Sequence, residues 1–307
     1  MVQDEPSAFR YTARRIMRHV RWARSEGVRR LIAEDRLDPR ERLRTARSKR
    51  RWRRRHGVAP GSAVAVYLVG LQRSGTNMLV RGLDEAPEVE VRNENDKALF
   101  HRFRLRGDDV LTAALHHSRH AVVLVKPLCD SHRVDELLAL TPGSRALWAW
   151  RDVDERARSE VAKFGQANLR ALRAIADGTS GTQWQGQRLD EETRALVAGF
   201  DYATMDPHTA AALFWYVRND LYFRLGLDAR EDVLLVPYAG MLQDPEGTAR
   251  RLCTHIGLPY RPEFVADVAG PPPALAPLPI DPRVRALCDE LTTRLTAATK
   301  RETTAHG

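Results

Sequence analysis

Four short apolar runs constrain this chain most. Ala63–Val69, Ala121–Val125, Ala146–Trp150 and Val233–Val236 are each continuous rather than alternating. That is the pattern of strands buried on both faces of a parallel sheet. Helical patterns lie between and after them, over Asn77–Leu83, Asp135–Leu140, Glu155–Phe164, Glu191–Leu225 and Pro245–Ile256. Strand alternating with helix predicts a three-layer, doubly wound α/β domain. The proline-rich stretch from Gly270 to Pro282 reads as a loop or lid, followed by a last helix over Pro282–Ala298.

Composition narrows the class. With 307 residues, 43% of them hydrophobic and 29% charged, the chain has the make-up of a soluble globular protein that buries a large core without staples. Cys129, Cys253 and Cys288 are odd in number, far apart and outside any C-x-x-C spacing. They predict a reducing compartment, and neither a disulfide framework nor a zinc site. No apolar run reaches membrane-span length and no signal-like apolar segment opens the chain, so a cytoplasmic protein is expected.

The basic excess is local. Residues 1–57 hold 19 Arg and Lys against 7 Asp and Glu, whereas the remainder holds 30 against 33. The chain therefore divides into a basic helical N-terminal arm, 1–57, and an α/β domain, 58–307. The arm offers a loosely amphipathic stretch over Phe9–Leu31 and a second helix from Pro39, with Asp38 as its N-cap. Two readings stay open for it: a solvated helix packed on the domain, or a patch for an acidic surface. Base-stacking aromatics are sparse there, Trp22 and Trp52 only, which disfavours nucleic acid.

The first apolar run ends in the loop "GLQRSGTN". Gly70 and Gly75 stand as in the ATP-binding pattern G-x-x-x-x-G-K-[ST], but Thr76 and Asn77 occupy the positions of its lysine and its magnesium-binding hydroxyl. A strand feeding a glycine loop into a helix N-terminus makes an anion site from backbone N–H groups and the helix dipole. With Arg73 as its cation and no metal ligand, such a loop suits one phosphate and its attached group. Alone, the pattern also fits an ordinary strand-to-helix turn. A second anion element lies in "LWAWRDVDERARS", where Arg151 ends a strand and Ser159 follows eight residues later, a little over two helical turns. Alone, this too fits a helix-initial arginine and a solvated serine. Two phosphate sites without a metal suit a nucleotide phosphorylated at both ends of its ribose.

These residues carry a resemblance. "GLQRSGTNML" resembles the 5′-phosphosulfate loop of sulfotransferases that use 3′-phosphoadenosine-5′-phosphosulfate (PAPS), and "LWAWRDVDERARS" resembles their 3′-phosphate element. "VLLVPYAGMLQDPEGTARRLCTHIGLPY" (Val233–Tyr260) is similar to their Y-E-D-L-x-x-D-P segment and its continuation to L-G-L-P. The three blocks stand in family order over about two thirds of the chain, with the bacterial branch nearest. Ala239 and Gly240 depart from the acidic pair after the tyrosine, and the C-terminal G-x-x-G-x-x-K of cytosolic eukaryotic members is absent. The resemblance implies a P-loop-like sulfotransferase fold and in-line transfer of a sulfuryl group from PAPS, without a metal. The acceptor is a hydroxyl, less readily an amine, of a small molecule or carbohydrate, and the product nucleotide is adenosine 3′,5′-bisphosphate (PAP). It implies cofactor binding by Gln72, Arg73, Ser74, Gly75, Thr76, Asn77, Arg151, Ser159 and Tyr238.

For catalysis the resemblance implies Lys126, just past the second apolar run, on the transferring group; as a plain strand-end lysine it would simply snorkel. Glu94, 21 residues past Arg73, is the candidate general base, with Asp96, His101 and His132 in reserve. The stretch "NEND" also reads as a polar turn. The histidine that some relatives carry two positions after the lysine is Leu128 here. Trp215, Arg218 and Asn219, at helical spacing, are candidates for an acceptor pocket, and core packing explains Trp215 equally well. Two other functions compete: a nucleoside-triphosphate-dependent kinase, disfavoured by the missing loop lysine, and a non-catalytic nucleotide-binding protein.

Overall fold

The computed structural model describes residues 39–305; the Phe9–Leu31 helix and the Asp38 cap expected from the sequence lie outside them. In chain order the elements are α1 (Pro39–His56), β1 (Val64–Gly70), α2 (Thr76–Asp84), β2 (Val89–Arg92), β3 (Phe100–His101), β4 (Arg104–Leu105), α3 (Asp108–His117) and β5 (Val122–Val125). A 3-10 turn over Leu128–Arg133 leads into α4 (Val134–Leu140), β6 (Arg145–Trp150), α5 (Val153–Phe164) and α6 (Ala167–Ala176). A second 3-10 turn, Trp184–Gly186, precedes α7 (Glu191–Ala198), α8 (Pro207–Asn219) and α9 (Leu221–Arg224). The chain then forms β7 (Val233–Pro237), α10 (Tyr238–Gln243), α11 (Pro245–Ile256) and α12 (Pro282–Ala305).

Five strands form one parallel sheet in the order β2-β5-β1-β6-β7, and β3-β4 is a separate antiparallel hairpin. Alternation along each strand sends successive side chains to opposite faces. Tyr67, Val69, Val123, Val125, Trp148 and Leu235 enter one core, against α4, α8 and α12. Val66, Leu68, Leu124, Leu147, Ala149 and Val236 enter the other, against α2, α10 and α11. Both faces are covered, which is why these strands read as continuous apolar runs.

Two expectations need correction. The helix expected over Glu191–Leu225 is broken into α7, α8 and α9. Asp206 accepts from the backbone N–H groups of His208 and Thr209, with Pro207 at the first helical position, so a new helix starts inside the run. Strand β2 was not foreseen: "VEVR" is a four-residue edge strand with two charged residues and no continuous apolar run.

The described part of the basic arm, α1, lies against the α/β domain. The Trp52 ring stacks on His120 with 5.9 Å between centroids, and Lys49 pairs with Asp84. Arg51, Arg53, Arg54 and Arg55 remain exposed.

Candidate active site at the carboxyl ends of the strands

Because the five strands are parallel, their carboxyl ends share one edge, the place where open α/β sheets bind ligands. Each strand delivers a candidate residue there. The loop from Gln72 to Asn77 follows β1, Glu94 follows β2, Lys126 follows β5, Arg151 follows β6 and Tyr238 follows β7.

The loop is built by close approach. Gly70 has φ 112°, and a Cβ there would stand 2.2 Å from the Ala149 carbonyl oxygen of β6. Its N–H donates to Ser131 Oγ at 2.9 Å, which ties the strand end to the 3-10 turn behind Lys126. Gly75 has φ 83°, and a Cβ there would stand 2.3 Å from Tyr238 Cδ2, so the Tyr238 ring closes directly over the loop. Arg73 is left-handed at φ 72°, a conformation a non-glycine residue adopts at a cost of about 1–2 kcal/mol. No side chain caps α2, which leaves its first N–H groups for a ligand. The Ser74 hydroxyl, buried in the loop, likewise has no protein partner among the described residues.

Two guanidinium groups hold the loop from beneath. Arg156 Nε donates to the Gln72 carbonyl and Arg151 Nη1 to the Arg73 carbonyl, both at 3.4 Å. Loop carbonyls engaged in this way are turned toward the protein, away from an anion on the N–H side. The sequence reading missed Arg156, which sits five residues after Arg151 on the core face of α5. It is fully buried, with Nη1 on Asn168 Oδ1 at 2.9 Å and on the Ala211 carbonyl at 3.1 Å, and Nη2 3.2 Å from Glu160. Burial pushes the Glu160 carboxyl up, and Arg156 pulls it the other way. The available signal was its helical spacing, three residues after Val153 on the apolar stripe of α5 and four before Glu160.

The two anion elements meet. Arg73 Nε donates to Ser159 Oγ at 2.8 Å, so Ser159 is engaged by the loop arginine rather than by Arg151. Arg151 stacks over the Tyr238 ring at 4.2 Å and pairs with Glu155 at 2.8 Å. Arg73, Arg151, Ser159 and Tyr238, from three separate segments, therefore form one cationic, hydroxyl-bearing wall.

Lys126 and Glu94 face each other behind the loop. Lys126 is buried; Nζ donates to Asn77 Oδ1 at 2.6 Å and stands 3.7 Å from Glu94 Oε2. Burial pushes the Lys126 ammonium down from its ordinary range, opposed by Glu94. Burial pushes the Glu94 carboxyl up, opposed by Lys126. Asn77, at the position of a magnesium-binding hydroxyl, instead orients a lysine.

Of the reserve candidates, Asp96 is engaged elsewhere. Asp96 accepts from Arg92 at 2.8 Å and from the Ala98 N–H at 2.9 Å, capping the turn that presents Glu94. Its carboxyl lies below the usual range: burial alone would raise it, and Arg92 with the backbone N–H groups outweighs that. His101 is exposed on the β3–β4 hairpin. His132 is buried, and burial followed by Arg218 and Arg104 pushes its imidazole down to about 3, which keeps it neutral. Trp215 and Asn219 belong to the core: Trp215 Nε1 donates to the Arg151 carbonyl at 2.8 Å, and Asn219 bridges Trp148 and the Trp215 carbonyl. Arg218, on the same helix, stacks over Trp184.

Among the described residues no group of His, Cys, Asp and Glu could hold a metal ion, and no helix is long and apolar enough to cross a membrane.

No family model matches the chain, and no curated protein matches its sequence significantly. Three similar solved structures are sulfotransferases or a sulfotransferase domain. A sulfotransferase from Alicyclobacillus acidocaldarius is 15% identical over 80% of this chain and 95% of its own, with a TM-score of 0.42. The sulfotransferase domain of the Synechococcus PCC 7002 olefin synthase is 13% identical over 81% and 95%, with a TM-score of 0.38. Sulfotransferase STF9 from Mycobacterium avium is 13% identical over 67% and 66%, with a TM-score of 0.37.

Proposed function

We propose that this chain is a PAPS-dependent sulfotransferase acting on a hydroxyl of a small-molecule or carbohydrate acceptor, with an amine as the less favoured nucleophile. The observation that carries the reading is the junction of the two anion elements, Arg73 Nε on Ser159 Oγ with Arg151 on the Arg73 carbonyl. It joins the two elements into one wall of donors, as a nucleotide phosphorylated at both ends of its ribose requires. Asn77 adds to this reading, because it orients Lys126 rather than offering a hydroxyl to magnesium.

PAPS supplies the sulfuryl group. The loop N–H groups, Ser74, Thr76 and Arg73 hold the 5′-phosphate, and Arg151 and Ser159 hold the 3′-phosphate, with Gln72 and Tyr238 bounding the site. Glu94, its carboxyl raised by burial, takes the acceptor hydroxyl's proton as the acceptor oxygen bonds to sulfur. The bond from sulfur to the 5′-phosphate oxygen breaks, and PAP leaves. Lys126 neutralises charge growing on the bridging and sulfuryl oxygens, in a buried setting where a cation acts strongly. In the same reading the arm ends near residue 57 and the transferase domain begins at 58. Three free, buried cysteines fit a reducing cytoplasm.

Calorimetry with PAP tests the reading, followed by transfer from PAPS to a panel of hydroxyl and amine acceptors. Binding of PAP without magnesium is expected. Magnesium-dependent ATP binding instead would replace this reading with a kinase, and PAP binding without transfer to any acceptor would leave a nucleotide-binding protein.

A further inference from the structure

Arg218 is 2% exposed. Its Nη1 donates to the Gln187 carbonyl at 3.2 Å and its guanidinium lies over the Trp184 ring at 5.4 Å. Its Nη2 is buried without a hydrogen-bond partner, and among the described residues no carboxylate pairs with it. Native proteins rarely bury a guanidinium in this state, because the lost hydration is not replaced. His132, 1% exposed, is the second orphan: both ring nitrogens are buried without partners. Arg218 is the strongest charge acting on it.

The charges around the pair cancel, except one. Arg104 Nε donates to Asp130 Oδ1 at 2.5 Å, and Asp130 also accepts the Leu105 N–H at 2.7 Å. Arg133 is matched by Asp108 and Glu136, and Arg188 by Asp135 and Glu136. Lys126 faces Glu94. The charge left without a counter-ion is that of Arg218. The cluster also adjoins the transfer centre: Cys129, three residues past Lys126, accepts from Gln72 Nε2 at 3.5 Å. Burial and then Glu94 push the Cys129 thiol up, while Arg104 and Arg218 pull the other way, so the thiol lies within the field of both groups.

We infer that Arg218, His132 and Arg104 form a seat for one oxyanion carried by the acceptor: a carboxylate, sulfate or phosphate group placed so that the acceptor's hydroxyl reaches Glu94. The inference rests on the sulfotransferase reading. The oxyanion accepts from Arg218 Nη2, from the one N–H of neutral His132 and from the terminal N–H groups of Arg104, whose Nε alone is held by Asp130, and it supplies the counter-charge that Arg218 lacks. The acceptors favoured by this chain are therefore anionic: hydroxy acids, or sugars already carrying an acidic group.

The test titrates the full chain, saturated with PAP to fill the loop, with sodium sulfate and with sodium acetate against sodium chloride at equal ionic strength. Saturable binding of sulfate or acetate is expected by calorimetry. Arg218→Gln and Arg104→Gln are each expected to weaken it about 10-fold or more, the worth of one charge-assisted hydrogen bond, with PAP affinity changed only a few-fold. Arg104 is partly exposed, so its variant carries the test if Arg218→Gln fails to fold. Anion binding equal in wild type and variants, or no binding beyond the chloride control, overturns the seat and leaves the sulfotransferase reading standing. Failure to bind PAP overturns the underlying reading instead.

Discussion

Lys126 Nζ donates to Asn77 Oδ1 at 2.6 Å across the mouth of the glycine loop, joining the end of β5 to the start of α2. The bond fixes a buried ammonium beside the loop that would carry the donor's phosphate. Lys126→Ala is expected to lower transfer from PAPS about 100- to 1,000-fold, the scale of removing one electrostatic stabiliser, with PAP affinity changed only a few-fold. Asn77→Leu keeps the lysine but releases it, and a smaller loss is expected. Steady-state rates and calorimetry on the same preparations check both. Unchanged turnover in Lys126→Ala would remove the lysine from the mechanism.

Glu94 predicts a pH signature. The base must be ionised to accept a proton, and burial raises its carboxyl above the ordinary 4.5. As pH falls through that raised value the carboxylate is protonated and the rate declines, so the acid limb of kcat/KM should lie above 4.5. Glu94→Gln should cut the rate about 100- to 10,000-fold and flatten that limb. An acid limb that survives the substitution would assign the base elsewhere.

Gly75 tests the closing of the loop by Tyr238. Gly75→Ala adds a Cβ 2.3 Å from Tyr238 Cδ2 at a residue with φ 83°. PAP affinity is expected to fall by about 10-fold or more, from the clash plus a left-handed cost of about 1–2 kcal/mol. In a Tyr238→Ala background the clash is absent, so adding Gly75→Ala should cost only the backbone share. Equal losses in both backgrounds would show that the ring does not set the loop's shape.

The parts of the molecule that could be read before folding share one property: their signal is local. Strands β1, β5, β6 and β7 are legible because both faces are buried, which makes each run apolar throughout. Arg151 and Ser159 are legible because a strand end and a helix face impose a fixed spacing. Edge strand β2 is hidden, since Glu90 and Arg92 need no apolar partner at the sheet's rim. The site's supporting bonds are hidden for a different reason. Asn77 with Lys126, Arg73 with Ser159 and Arg156 with the Gln72 carbonyl join residues 49, 86 and 84 positions apart, and only the sheet order brings them together. Asn77 in the loop pattern is visible as a missing hydroxyl; its role as the lysine's acceptor is not.

Arg156 separates stability from affinity. It is fully buried against Glu160 and Asn168, and its Nε holds the Gln72 carbonyl. Arg156→Met leaves the Glu160 carboxylate buried without its cation, at an expected cost of about 3–5 kcal/mol in urea unfolding. Adding Glu160→Met removes the stranded charge and should recover most of that loss, so the two changes are far from additive. The double variant still lacks the group that turns the loop carbonyl inward. Its PAP affinity should therefore stay reduced after stability has returned. Affinity that recovers along with stability would mean that Arg156 serves the core alone, and that the loop holds its shape through Gly70, Gly75 and Arg151.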